Sequence, residues 1–268
     1  MKRVFIVGCP RSGTTLLQLL LAANTRFTSL PETHFFRWLV PSSPARYLGL
    51  CSRQGRHLAV KHMKEIGTPL RFSNSLYLSD WTNEFVKALD KYTISSSFNG
   101  WIEKTPKHLH YLSIIEKHIP DALFIHILRK GTDAVASLYE ACNLYPESWG
   151  GPRSAMECAI RWKTDVERSL SKSSSPRHKL ISYDHLVSAP HDVIPGVLEF
   201  LGEPKPSNAI SNEISLNLFN SVALRTEPWK EYKSSISGQT SKFHSVLSPA
   251  DQIKVLSIIN QVNLPLNF

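Results

Sequence analysis

Cysteine is scarce in this sequence, and the few present form no pattern. Cys9, Cys51, Cys142 and Cys158 make no C-x-x-C pair and have no histidine at zinc spacing. That argues against a disulfide framework or a structural zinc, and points to reduced thiols in a cytoplasmic protein. Long apolar runs are missing too. None approaches the roughly 20 residues that a membrane-spanning helix needs, so no membrane span is expected. The Met1-Lys2-Arg3 start resembles a signal peptide's basic region only superficially, because the apolar run behind it stops after a few residues. Acidic residues are in deficit: 22 Asp and Glu against 31 Lys and Arg leave a net charge of +9. This favours an anionic partner, whether a polyanionic cofactor, an acidic substrate or nucleic acid. There is no internal repeat. With 42% hydrophobic and 10% aromatic residues over 268 positions, the chain has the material for one packed α/β domain spanning 1–268.

What the sequence does have is concentrated at its start. Val4-Phe5-Ile6-Val7 reads as a buried parallel strand. Gly8-Cys9-Pro10-Arg11-Ser12-Gly13-Thr14-Thr15 follows, and Leu16, Leu17, Leu19, Leu20 and Leu21 open a helix. Strand, glycine-rich turn and helix aim several backbone N–H groups and the positive end of a helix dipole at one spot, an anion site. Gly8 and Gly13 have the spacing of a nucleotide-triphosphatase P-loop, but Thr14 stands where that motif has its lysine. The cation has moved back to Arg11, and hydroxyls come from Ser12, Thr14 and Thr15.

Beyond the loop, strands and helices alternate. Residues 27–30 read as a short extended link, and Pro31-Glu32-Thr33-His34-Phe35-Phe36 as a segment returning across the mouth of the loop. Residues 41–100 contain Pro41, Pro44 and a basic patch (Arg46, Arg53, Arg56, Lys61, Lys64). They are the least regular part, read as helices and loops over the sheet that form an acceptor-binding cap. A short strand covers 101–104, a helix 107–118 and a second continuous apolar strand 122–128; another helix opens at Thr132-Asp133. An amphipathic helix spans 155–170, a fourth strand 179–182, and Gly202 caps the helix before it. Ser248-Pro249 opens a last helix. The expected fold is α/β in three layers, a central parallel sheet with helices on both faces and ligands at the strands' carboxyl ends.

A P-loop nucleotidase would carry a magnesium-binding Asp at a later strand end. Here the second long strand ends on Arg129, with Ser137 eight residues on, along the following helix. That suits a second anion and no metal.

The string Pro10-Arg11-Ser12-Gly13-Thr14-Thr15 resembles the 5′-phosphosulfate loop of sulfotransferases that use 3′-phosphoadenosine 5′-phosphosulfate (PAPS), a family with Lys or Arg where Arg11 stands. Residues 101–108 resemble the Lys-Thr-Pro segment of its glycan and small-molecule branches. Ile181-Ser182-Tyr183-Asp184-His185-Leu186, with Phe200-Leu201-Gly202, is similar to the family's Tyr-Glu-Asp-Leu and Phe-Leu-Gly signatures, with His185 replacing an acid. Arg225-Thr226-Glu227-Pro228-Trp229-Lys230 is similar to the late loop that closes over the nucleotide, without the Gly-rich form of the aryl enzymes. Residues 31–36 resemble the segment that carries the catalytic Glu in heparan-type enzymes.

The resemblance implies PAPS as co-substrate and the bisphosphate PAP as product. Arg11, Ser12, Gly13, Thr14 and Thr15 would hold the phosphosulfate, and Arg129 with Ser137 the 3′-phosphate. Tyr183, Arg225, Trp229 and Lys230 would border the nucleotide. Glu32, or failing it His34, would be the base, with Arg11 and Lys104 stabilising charge on the leaving phosphate. The acceptor would be a hydroxyl or amine of a small molecule, lipid or glycan, and no nucleic acid is expected. Two rival readings remain. A P-loop kinase or nucleotidase has against it the lysine missing at Thr14 and the missing strand-end Asp. A basic nucleic-acid-binding protein would need its charge gathered in one groove with aromatics interleaved, whereas the basic patch lies outside the core motifs.

Overall fold

The computed structural model describes residues 1–71, 74–204, 214–224, 227 and 241–265. Five parallel strands, β1 (Lys2–Gly8), β2 (Phe27–Ser29), β3 (Gly100–Lys104), β4 (Leu123–Leu128) and β5 (His178–Ser182), form one sheet in the order β2-β3-β1-β4-β5. In chain order the described α-helices are α1 (Thr14–Asn24), α2 (Phe35–Leu39), α3 (Arg53–Glu65), α4 (Leu78–Ser95), α5 (Leu112–His118), α6 (Gly131–Leu144) and α7 (Pro146–Trp149). They continue with α8 (Ala155–Leu170), α9 (Tyr183–Ser188), α10 (Pro190–Leu201), α11 (Leu216–Val222), α12 (Phe243–Val246) and α13 (Pro249–Ile259).

β1 sits at the centre because it is apolar on both faces. Val4 and Ile6 pack on one side with Leu17, Leu20, Ile194 and Leu198, beneath α1 and α10. Phe5 and Val7 pack on the other with Phe36, Met63, Trp81 and Phe85, beneath α2, α3 and α4. A continuous apolar run is what a strand covered on both sides requires. A third cluster joins α6, α8, α12 and α13 around Cys9 and Leu128, just past the strand ends. The three-layer α/β architecture is the one expected.

Three local expectations change. Residues 27–30 are more than a link: β2 adds to the edge of the sheet with Phe27 opposite Gly100 of β3. Three residues are too few to display a strand's period-2 alternation in sequence. Residues 41–100, expected to be irregular, contain α4, whose Leu78, Trp81, Phe85 and Leu89 are buried at helical spacing. Phe85 stacks on Phe35 of α2 with ring centroids 4.3 Å apart, and burying one such ring contributes about 1.5–3 kcal/mol. Residues 107–118 are not one helix. A 3-10 turn over Pro106–Tyr111 precedes α5; its first bond, His108 N–H to the Thr105 carbonyl at 2.8 Å, winds the chain tightly enough to turn His108 inward. Among the described residues no helix is long and apolar enough to cross a membrane.

Candidate active site

The chain leaves β1, β3 and β4 at the same edge of the sheet, where Ile6 lies opposite Lys104 and Gly8 opposite Ile127. The turn after β1 is constrained by its backbone. A Cβ on Gly8 would stand 2.6 Å from the Ile127 carbonyl oxygen, so glycine is what lets β1 and β4 approach. Ser12 N–H closes the turn onto the Cys9 carbonyl at 3.2 Å. Arg11 takes a left-handed φ of 71°, which costs a residue with a side chain on the order of 1 kcal/mol. Arg129 holds that conformation: its Nη1 donates to the Arg11 carbonyl at 3.0 Å. Gly13, at φ 92°, is the N-cap of α1 and supplies no side-chain cap, so the first N–H groups of the helix face the loop. Thr14 is buried and Thr15 half-buried in that first turn.

Tyr183 is the platform beneath. A Cβ on Gly13 would meet its ring at 2.2 Å, and the Arg129 guanidinium lies over the same ring at 4.5 Å from the centroid, a cation–π arrangement. Burial pushes the Tyr183 phenol up. Arg11 Nε donates to Ser137 Oγ at 3.1 Å. The residues expected to form two separated anion sites are therefore contiguous. Arg129 also anchors through its carbonyl, which accepts from Trp162 Nε1 at 3.0 Å. Two polar atoms here are buried and unsatisfied among the described residues. Arg129 Nε has no hydrogen-bond partner, and Ser12 Oγ has no oxygen or nitrogen partner, only the weakly bonding Cys9 thiol beside it. An unmet donor of this kind costs about 1–3 kcal/mol, so guanidinium, hydroxyl and uncapped helix start together fit phosphate oxygens. Arg225, Trp229 and Lys230 lie outside the described residues.

One strand away, Lys104 ends β3 with its side chain fully buried, and its Nζ donates to Glu32 Oε1 at 2.5 Å. His34 Nε2 stands 3.9 Å from Glu32 Oε2. The segment 31–36 thus returns over the end of β3, beside the anion loop. Gln18 of α1 steers it by donating to the Leu30 carbonyl at 2.7 Å. His34 is left-handed at φ 50° where α2 begins. Burial lowers its pKa to about 4, against the pull of Glu32, so the imidazole is neutral at physiological pH. Phe35 and Phe36, which follow His34, pack their rings into the core against Phe85.

Two residues that sequence reasoning passed over hold this side together. His62 of α3 donates from Nε2 to the Glu32 carbonyl at 2.7 Å. Behind Lys104, the buried Glu103 carboxylate accepts from Thr105 Oγ1 at 2.6 Å, Thr33 Oγ1 at 2.8 Å and His108 Nδ1 at 2.8 Å. Phe36 N–H donates to His108 Nε2 at 3.3 Å, which fixes the Nδ1–H tautomer. Burial pushes Glu103 up, but His108 and the two threonines hold it below its ordinary value. This buried carboxylate staples residues 33–36 to residues 105–108. Its sequence signal was the run Glu103-Lys104-Thr105-Pro106, in which an acid adjoins a buried lysine.

Comparison with known proteins bears on the family and the fold. A family model described as "Sulfotransferase family" matches residues 3–207. The nodulation protein NoeE of Sinorhizobium fredii is 26% identical over 220 residues, which cover 74% of this chain and 49% of that protein. The chain spans about a third to a half of the length of the curated relatives it matches, 32% of one and 49% of the other. Among solved structures, the sulfotransferase domain of the Synechococcus PCC 7002 olefin synthase superimposes with a TM-score of 0.63 at 19% identity, over 99% of this chain and 96% of that one. Mouse sulfotransferase SULT7A1, solved with PAP, gives a TM-score of 0.53 at 12% identity, over 96% and 82% of the two chains. At such identities the structures speak for the fold. With the family match running from β1 through α10, the chain belongs to the sulfotransferase family.

Proposed function

We propose that the protein transfers a sulfuryl group from PAPS to an acceptor hydroxyl, with Glu32 taking the hydroxyl proton. The observation that carries this is the ion pair of the buried Lys104 with the half-buried Glu32, one strand from the Arg11 loop. Arg11, Ser12 and the N–H groups of residues 13–15 would hold the phosphosulfate, and Arg129 with Ser137 the 3′-phosphate. The nucleotide supplies an activated sulfuryl group and a phosphate leaving group on which negative charge grows. Arg11 and Lys104 are the cations placed to meet that charge, and losing one such donor typically costs on the order of 10²–10³ in rate.

Glu32 is oriented from three sides: Lys104 holds Oε1, neutral His34 stands near Oε2, and His62 holds the backbone carbonyl. The acceptor O–S bond forms as the bond from sulfur to the phosphate oxygen breaks, and the hydroxyl proton passes to Glu32. His34 is the second candidate for that proton. The cap of residues 41–100, which contains α3 and α4, would border the acceptor, a small molecule, lipid or glycan. Four unpaired cysteines suit a cytoplasmic location. The test is mass spectrometry of reactions containing PAPS and a panel of alcohols and phenols. Sulfated product together with PAP is expected; a phosphorylated product formed from ATP and Mg²⁺ instead would favour the kinase reading.

A further inference from the structure

The 3-10 turn that follows Lys104 packs against both α2 and α8, and positive charge gathers where the three meet. Lys107 lies three residues beyond Lys104, in the 3-10 turn, and Arg37 three residues beyond His34, in α2. α8 reaches the same place, because His110 of the turn donates to Asp165 at 2.6 Å. Burial, together with the charges of Arg37, Arg161 and Arg153, lowers the Lys107 ammonium to about 8. Burial pushes the Tyr111 phenol of the same turn up, and the charges of Arg37 and Arg161 act against that rise. The carboxylate acting on Lys107 is Asp165, and it is already engaged by His110 and by Arg161 Nε at 2.5 Å. Arg161 Nη2 remains buried with no hydrogen-bond partner among the described residues. A solvated basic face would show neither a half-buried lysine among arginines nor an orphaned guanidinium nitrogen.

We infer that Lys107, Arg37 and Arg161 bind a phosphoryl group carried by the acceptor, while the acceptor's hydroxyl is presented to Glu32. Three cations match a phosphate dianion, and a guanidinium fork matches its oxygens. An uncharged acceptor would leave the repulsion among these cations unrelieved. The inference rests on the sulfotransferase reading only for which hydroxyl reacts.

Calorimetry tests it in two stages. PAP is titrated first; then, with PAP saturating, phenyl phosphate is titrated, with benzyl alcohol as the uncharged control. Phenyl phosphate should bind at least about tenfold more tightly than benzyl alcohol, and Lys107→Gln and Arg37→Gln should each weaken it about five- to tenfold. PAP affinity and melting temperature should stay at wild-type values in both variants, which replace side chains outside the core. Equal binding of phenyl phosphate and benzyl alcohol would overturn the inference, as would unchanged phenyl phosphate affinity in both variants. Failure of PAP itself to bind would instead sink the cofactor reading. The same wild-type-to-variant difference, measured on the free protein, would then still decide the phosphoryl site.

Discussion

The two sides of the proposed site are built by different means. On the β4 side, the anion loop is shaped by backbone: Gly8 and Gly13 sit where a Cβ would collide, and Arg11 is held left-handed by Arg129. On the β3 side, the backbone is ordinary apart from His34, and side chains impose the order. Glu103 ties Thr33, Thr105 and His108 together, and Lys104 meets Glu32. A site for a fixed ligand can be written into a short loop. The side proposed to fit an acceptor and move a proton is assembled from segments some 70 residues apart.

The largest effect should come from breaking the side-chain half alone. Glu32→Gln should keep PAP affinity and lose sulfuryl transfer by about 10²-fold or more, the usual scale for a general base. If Glu32→Gln turned over near the wild-type rate while His34→Gln did not, the base is His34.

Next comes the backbone half. Arg129→Ala should weaken PAP by about 10–100-fold, the scale of a charged hydrogen bond. Because Arg129 also supports the Arg11 carbonyl, AMP, which lacks the 3′-phosphate, should lose affinity as well, but less. Calorimetry with both ligands separates the roles; equal losses would mean that Arg129 only braces the loop.

The smallest effect is on stability. His126 is fully buried and donates to His178 Nδ1 at 2.9 Å. Burial lowers its pKa to about 3, as it lowers that of His34 to about 4, from an ordinary 6.5. Below that ordinary value the unfolded chain takes up protons that the folded chain refuses, so stability falls as pH drops from 6.5 towards 4. The loss should reach about 1 kcal/mol per histidine by ~pH 5.5. Melting curves should show a shallower acid slope in His34→Gln and in His126→Gln; an unchanged slope in both would contradict the burial argument.

The backbone half was legible in the sequence because its constraints are local. Gly8, Arg11 and Gly13 fall within six residues, and the Arg129–Ser137 spacing follows one strand end. Glu32 and Lys104 were legible as separate residues, but their contact was not. His62 was not legible as a site residue at all, and Glu103 only through its place beside Lys104 and Thr105. Nothing in the sequence near His62 announces that its ring reaches the Glu32 carbonyl, since that follows from α3 packing against α2. Helix α4 was hidden for another reason. Its Trp81, Phe85 and Leu89 do follow helical spacing, but prolines and basic residues nearby gave the region an irregular composition.

The central claim is that this P-loop-like turn, with arginine in place of the lysine and with Arg129 at the next strand end, is made for a 3′-phosphorylated adenosine nucleotide. The most direct test is calorimetry of PAP against ATP with Mg²⁺ on the wild-type protein. Ligand at a hundred times its Kd should also stabilise the fold by about 2.7 kcal/mol, visible in a melting curve. The account predicts that PAP binds at least about tenfold more tightly than ATP·Mg²⁺, the equivalent of one charged hydrogen bond to the extra phosphate. ATP·Mg²⁺ binding as tightly as PAP, or more tightly, would contradict it.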